Sequence, residues 1–480
     1  MKTSEILKVL WASKIGKTGI IFLLLMVATS FYVVIALPLD FGTRLWNNPA
    51  AWADNPKNVP PAWTNIFSAD KKVSHTVFEA SQPDEVIPRD EGSSLVYYFN
   101  LDYDYDEFPT FTSFSISEVA FSAKSPLVTL SLTRPDGKEV LLYRLVVPGP
   151  VAGEEPPITR YVDSPHRVYL SGDSTVLFNM VDFLKEEFGI DKSGTELKGL
   201  VDEAIFGTPT ADGQDFEVLR GQYTVNASVR VYDSGDSVGQ VSFVLGGSVY
   251  GFMGTDSLGR DLATGLLFGF PIALLIGLST AIVTTIIGTF MGIVSGYMGG
   301  RTDTLIQRFC DVLANVPLLP ILIFLAFVIG QKLWLVIAVL IAFGWPGLTI
   351  LVRSMVLHSR SSQLAEATKA LGASPLRIMF RHVLFQIAPF VLAQMIFFTP
   401  GAILAEAGLS FLGLGDPSIP TWGQILESGF STGAVYAGYW WWVLPPGLLV
   451  VAAAMTFVLL ALGIEPVVNP RLREYSGATS

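Results

Sequence analysis

"LAEATKALGASPLRIMFRHVLFQIAP", residues 364–389, lies between two long apolar runs and carries Glu366, Lys369, Arg377, Arg381 and His382. The flanking chain avoids charge, so this stretch does not read as an ordinary span. From Ser362 to Leu371 the residues are good helix formers, with Leu364, Ala367, Ala370 and Leu371 recurring on one face. Gly372 then supplies a left-handed C-terminal cap, a conformation that side-chain-bearing residues resist. Ser374 suits an N-cap, and Pro375 suits the first position of a new helix, where its missing N–H costs nothing. The pattern predicts helix, tight turn, helix, with the second helix running straight into a span. Such a short, rigid, amphipathic unit suits docking into a groove on a partner and passing force to the span behind it. An interfacial helix that snorkels its basic groups is the alternative.

Composition sets the frame for that reading. The 480 residues are 50% hydrophobic and 15% charged, with a mean hydropathy of +0.48. This describes a membrane protein with one polar region. The single cysteine, Cys310, cannot form an intrachain disulfide, so an exposed domain must be held by its own core. Four histidines and that cysteine show no metal-ligand spacing. Residues 38–262 hold 33 acidic and 17 basic residues, whereas the remainder holds 9 and 14. The chain therefore divides into an acidic soluble region and a slightly basic membrane region. The acidic excess argues against nucleic acid as a partner.

Six apolar runs read as spans: Gly19–Leu37, Phe268–Tyr297, Thr304–Ile329, Leu333–Leu351, Val383–Ala405 and Trp440–Ile464. A cleaved signal peptide competes for the first. Its length and the poor cleavage site Pro38-Leu39-Asp40 favour a retained anchor. Basic residues set the orientation. Lys2, Lys8, Lys14 and Lys17, then Arg301 and Arg308, then Arg353, Arg360, Lys369, Arg377 and Arg381, then Arg471 and Arg473 all fall on one side of a six-span arrangement. That side is read as the cytoplasm, with both termini inside and residues 38–262 outside. "IGKTG" at 15–19 does not make a phosphate loop, because position 11 is Trp where Gly is required.

Residues 38–250 are too many for a loop and must fold. "SPLVTLSLTRPDGKEVLLYRLVV" predicts a hairpin turning at Pro135-Asp136-Gly137, and "GQYTVNASVRVYDSGDSVGQVSFVLGGSVYG" a second hairpin. "STVLFNMVDFLKEEFGI" predicts an amphipathic helix. The expected fold is a mainly β, sandwich-like domain with a helical excursion. Asp102, Asp104 and Asp106 recur at period two, as one strand face would place them; a solvated acidic edge is favoured over a calcium site. Asn226 begins a glycosylation sequon.

Buried polar groups within spans mark candidate path or gate positions. These are Gln394, Thr399, Pro400 and Glu406, with Pro400 expected to bend its helix. Exposure at the outer interface is the alternative for Glu406. "YWWW" at 439–442 fits an interfacial aromatic belt, and the small residues of "IGLSTAIVTTIIGTFMGIVSG" favour close helix packing.

The opening stretch resembles the EAA loop of the permease subunits of ABC importers, through Glu366, Ala367, Gly372, Ile378 and Pro389, with Thr368 in place of the usual second alanine. "MGTDSLGRDLATGLLFG" at 253–269, "AILAEAGLSFLGLG" at 402–415 and "NPRLREY" at 469–475 resemble segments of the C-type permeases of dipeptide and oligopeptide importers. The resemblance covers residues 1–37 loosely and 251–480 well; the insertion at 38–250 departs from the family. It implies an all-α membrane fold of six transmembrane helices, split as 1–37, the inserted domain 38–250, and a permease core 251–480 with its coupling loop at 361–389. It further implies a heterodimer with a second permease, two cytoplasmic ABC ATPases and an extracytoplasmic substrate-binding protein. ATP and Mg would sit on the ATPases, with no catalytic or cofactor site here. The ATPase-coupling residues implied are Glu366, Ala367, Thr368, Lys369, Ala370, Leu371, Gly372, Ala373, Ser374 and Pro375. The implied function is peptide import across the plasma membrane of a bacterium or archaeon. Oligosaccharide or nickel cargo on the same architecture, and a membrane-anchored receptor or sensor, are the alternatives.

Overall fold

The computed structural model describes residues 10–11, 13–38, 40–360 and 371–468. The chain forms two compact units, Met1–Asn48 with Leu262–Ser480, and Pro49–Asp261.

The first unit is helical: α1 (Lys14–Ala36), α2 (Leu262–Met298), α3 (Gly300–Asn315), α4 (Leu318–Ile329), α5 (Leu333–Arg360), α6 (Leu384–Phe411), α7 (Trp422–Ser431) and α8 (Trp440–Val468). Five helical runs are long and apolar enough to cross a membrane, namely α1, α2, α5, Pro375–Phe411 and Trp440–Glu465. The expected span Thr304–Ile329 is not one helix. It is the pair α3 and α4, bent by 77°. Pro317 explains the break: it disfavours helical geometry in the residue before it, and Val316 is extended at φ −78°, ψ 126°. The expected span Leu333–Leu351 continues to Arg360, so Arg353 lies inside α5 and not in a loop.

Close approach organises the packing. Gly288, Gly292 and Gly296 recur every four residues on α2 and face α5. A Cβ built at Gly292 would lie 2.6 Å from Val352 Cβ and 2.9 Å from the Thr349 carbonyl. Gly292→Leu should therefore wedge α2 from α5 and cost about 1–3 kcal/mol, read as a lowered thermal midpoint in detergent; an unchanged midpoint would contradict this packing. At Gly16 and Gly19, α1 comes into backbone contact with Gly463 and Leu460 of α8.

The second unit is a β sandwich. Its strands are β1 (Thr76–Ala80), β2 (Glu85–Pro88), β3 (Ser93–Tyr103), β4 (Phe111–Phe121), β5 (Leu127–Thr133), β6 (Glu139–Val146), β7 (Ile158–Arg160), β8 (His166–Tyr169), β9 (Gly207–Pro209), β10 (Phe216–Val218), β11 (Gly221–Val231) and β12 (Ser237–Gly246). One sheet runs β1-β12-β4-β7 with β8 also on β4; the other runs β2-β3-β11-β5-β6; β9 and β10 form a separate hairpin. The inward faces of both sheets meet in one core that includes Tyr97, Phe99, Leu130, Val225, Phe114 and Phe243.

β5 and β6 pair across the expected Pro135-Asp136-Gly137 turn. The second expected hairpin does not form: β11 pairs with β3 and β5, whereas β12 pairs with β1 and β4. Alternation told that each strand has a buried face, and two strands facing each other across a sandwich alternate just as a hairpin does. The helix Ser174–Phe188 is present, capped by Asp173 and by Gly189 at φ 67°, and buries Val176, Met180, Phe183 and Leu184.

The unit's edges also differ from 38–250. Residues 41–46 belong with the helices, since Phe41 packs on Phe268 at 5.0 Å and Trp46 fills the space beside Gly265. Residues 251–261 belong with the sandwich, through Ala62 N–H to the Gly251 carbonyl (2.9 Å) and Asn58 N–H to that of Asp256 (3.0 Å). Asp104 and Asp106 lie beyond the end of β3, not on its face. Asp104 pairs with Lys71 at 2.7 Å and Asp106 with Arg220. Among the described residues no group of three or more His, Cys, Asp or Glu is placed to hold a metal.

Two titrating groups, half-buried His75 and buried Asp202, have opposed effects on the sandwich. Burial holds the His75 imidazole down at about 4 and pushes the Asp202 carboxyl up to about 6. His75 favours folding above pH 6.5, a contribution lost as pH falls towards 4; Asp202 favours it at low pH and loses its contribution as pH rises from 3.8 to 6. Each is worth about 3 kcal/mol at most, so they nearly cancel over that window. Asp202→Asn should expose the His75 slope and make the sandwich acid-labile between pH 6.5 and 4. A variant whose urea midpoint falls with acid no more steeply than that of wild type would refute the assignment.

Candidate functional site

Two clusters on the helical unit are candidates, one around the turn at 371–383 and one at the far end of α6. Glu366, Ala367, Thr368, Lys369 and Ala370 lie outside the described residues. Leu371, Gly372, Ala373, Ser374 and Pro375 are described. Gly372 has φ +80°, a left-handed conformation that strains any side-chain-bearing residue. The Ser374 side chain accepts the Arg377 N–H at 3.4 Å, and Pro375 opens the helical turn Pro375–Arg377. A π-helical turn follows, Ile378–Val383, and leads into α6. The turn divides into two faces. Leu371 and Leu376 point to solvent at 88% and 65% exposure. Ile378, Met379 and Val383 are buried with Ile293 of α2 and Leu348, Val352 and Val356 of α5, and Phe380 stacks on Phe290 of α2 at 5.9 Å. The turn thus shows an apolar tip outward and is packed against two long helices inward.

A polar clasp lies beside it that sequence reasoning missed. Arg353 of α5 makes a bidentate pair with Asp303 of α3, both contacts at 2.5 Å. Ser295 of α2 donates to Asp303, and Gln307 donates to Ser295 at 3.0 Å. This ties α2, α3 and α5 together. The sequence signal is Asp303 itself, an acid amid a basic stretch; from sequence alone Arg353 reads only as an orienting charge.

The candidate path residues are not brought together. Thr399 and Glu406, seven apart on α6, share a face, whereas Gln394 lies off it. Thr399 and Pro400 are buried, and the Thr399 hydroxyl donates to the Met395 carbonyl at 3.2 Å. Glu406 is only 5% exposed, which overturns the outer-interface alternative. Its carboxylate accepts from Ser410 at 2.6 Å and hydrogen-bonds Thr421, the N-cap of α7. Gly415 and Gly423 leave room there, since a Cβ on either would strike Ser410. Removing this acceptor by Glu406→Ala should cost about 2–4 kcal/mol through two stranded hydroxyls and a cavity. Glu406→Gln should keep most of the thermal midpoint, and equal midpoints for the two variants would argue against the cluster.

Asp416, also unsingled by the sequence, extends this end of the unit. It accepts from Ser418 Oγ at 2.5 Å and from the Leu333 N–H at 3.3 Å, holding the start of α5. Trp422 donates to the Leu266 carbonyl at 2.9 Å. Of the tryptophans expected in an interfacial belt, Trp441 and Trp442 are buried at 7% and 1%, and Trp440 is 40% exposed. They pack within the helical unit, where Gly429 admits Trp442.

The family model described as binding-protein-dependent transport system inner membrane component matches residues 288–474, which contain both clusters and none of the β sandwich. The dipeptide transport system permease protein DppC of Bacillus subtilis is 34% identical over 223 residues, 46% of this chain and 69% of the relative. The oligopeptide transport system permease protein OppC of Haemophilus influenzae is 34% identical over 181 residues, 38% of this chain and 58% of the relative. The peptidoglycan transport system permease protein YejE of Agrobacterium fabrum is 33% identical over 179 residues, 37% of this chain and 47% of the relative.

Proposed function

This chain belongs to the family of binding-protein-dependent transport system inner membrane components, the permeases of ABC peptide importers, and from that premise we propose that it forms half of the translocation path of an ATP-driven peptide importer. A second permease completes the path, two cytoplasmic ATPases supply ATP and Mg, and an extracytoplasmic binding protein delivers cargo. The chain hydrolyses nothing itself. Both termini lie in the cytoplasm of a bacterium or archaeon, and the β sandwich lies outside, where it supports docking of the binding protein. Residues 366–375 receive the ATPase stroke.

The observation that carries the reading is the two-faced turn: an outward apolar tip, Leu371 and Leu376, on a segment packed against α2 and α5. A push on the tip is borne by two long helices at once, which suits alternating access driven from the cytoplasm. A second cargo class, peptidoglycan fragments, is favoured by the relative named for peptidoglycan transport.

The test is purification of the chain from its native membrane in mild detergent. A second permease, ATPases and a binding protein should co-purify, and ligand retained by the binding protein identifies the cargo. A chain that emerges alone and stable would defeat the importer reading.

A further inference from the structure

The Asp303–Arg353 clasp stands where α5 serves two neighbours at once. Leu348, Val352 and Val356 of α5 pack against Ile378, Met379 and Val383 of the turn at 371–383. Trp345, Thr349 and Arg353 recur about one turn apart on an adjoining stripe of α5 and meet α3. Phe309 stacks on Trp345 at 6.0 Å, Cys310 hydrogen-bonds Thr349, and Asp303 takes the Arg353 fork with both contacts at 2.5 Å. Arg353 directly follows Val352 in the chain, so the fork and the packing under the turn share one stretch of helix.

The segment beyond the clasp is otherwise lightly held. Of the described α3 residues only Cys310 is fully buried, and α4 buries Leu322 and Ala326. The limb made by α3 and α4 is bent by 77° and has glycine joints at both ends, with Gly299 and Gly300 at φ 67° and 56° and Gly330 at φ 99°. Such joints absorb backbone rotation that a side chain would resist. Packed apolar surfaces let neighbouring helices slide by small steps, whereas a bidentate arginine–carboxylate pair fixes both distance and angle. Ser295 donates to Asp303 at 2.5 Å and Gln307 to Ser295 at 3.0 Å, which orients the carboxylate for the fork. Without the fork, a shift of α5 leaves the limb behind.

We propose that the Asp303–Arg353 fork is the second stage of the transport stroke: it makes the α3–α4 limb follow α5 when the turn at 371–383 is pushed. Asp303 and Arg353 are then positioning residues of transport, tied to the turn through α5. The inference deepens the importer reading and rests on it.

The experiment uses the complex purified from its native membrane with its partners and reconstituted in vesicles, with a radiolabelled peptide digest as cargo. Uptake per ATP hydrolysed is compared among wild type, Asp303→Asn, Arg353→Gln, the double variant and Arg353→Lys, beside the thermal midpoint of each. The side chains of Arg353 and Asp303 are 31% and 16% exposed, so neutralising one does not strand a fully buried charge. Each single variant should hydrolyse ATP near the wild-type rate, with uptake per ATP lowered by about fivefold or more. The double variant should be no worse than either neutral single variant, as for residues that act through one contact. Arg353→Lys keeps the charge and loses the fork, so it should fold even where the neutral variants do not, and should show the same loss. A ratio equal to wild type in Arg353→Lys and in the neutral variants that fold would overturn the inference. Uptake and hydrolysis falling together with the midpoint would also overturn it, because the pair would then only hold the fold. A wild-type complex that takes up none of the digest defeats the peptide-importer reading, and the inference with it; uptake by wild type with unchanged ratios in the variants defeats the inference alone.

Discussion

Replacing Leu371 and Leu376 together with aspartate should cut ATP-driven uptake by about tenfold or more while leaving the folded chain intact. Both side chains are mostly in solvent, at 88% and 65% exposure, so the fold has little to lose; surface replacements of this kind usually stay within about 0.5 kcal/mol. A docked apolar tip is different, since a buried anchor at an interface is worth about 2 kcal/mol or more and a charge in its place must be desolvated. Uptake and stimulated ATP hydrolysis in reconstituted vesicles, set beside an unchanged thermal midpoint, separate the two effects. Gly372→Val combined with Glu366→Arg provides a second arm, because valine cannot take φ +80° without strain. Normal transport-coupled ATPase activity in both variants would remove the docking role of this turn.

Arg134→Ala should destabilise the β sandwich by about 3–5 kcal/mol, as expected when one partner of a buried charged network is removed. The Arg134 side chain is fully buried. Its Nη1 donates to the carbonyls of Ala204 and Ile205, both at 2.9 Å, and its Nη2 to that of Gly207 at 2.7 Å. It therefore satisfies the C-terminal carbonyls of the short helix Val201–Phe206, which no further turn would reach. The guanidinium also lies over the rings of Phe183 and Phe188, at 5.4 and 5.8 Å, and pairs with Asp136 in the β5–β6 turn. Alanine strands all of these groups. Lysine keeps the charge but not the planar fork, so Arg134→Lys should recover only part of the loss. Hydrogen exchange across residues 127–146 and 174–218 of the full chain reads the effect. Protection unchanged in Arg134→Ala would show that the carbonyls find other donors.

The elements legible in the sequence were those whose signal is local. Length and apolarity marked the membrane helices, because a span is set by residue count alone. Gly372, Ser374 and Pro375 each state a backbone preference, and each has the geometry that its chemistry prescribes. The Pro135-Asp136-Gly137 turn and the capped helix Ser174–Phe188 were legible for the same reason. Pro317 was equally plain, and its effect on Val316 should have divided the third run.

What the tertiary structure decided was partnership. Alternating residues announce that β11 and β12 each bury a face, but the choice between pairing in one sheet and facing each other across two depends on strands more than a hundred residues away in the chain. Likewise Arg353 announces a charge, and only the fold brings Asp303 to it. Glu406 announces a carboxylate in an apolar helix, and only the return of the chain through Ser410 to Thr421 turns it from an exposed group into a buried anchor. A local pattern reports which side of an element avoids water, because that is a property of its own residues. Which neighbour excludes the water is settled by long-range packing, and no short window of sequence contains it.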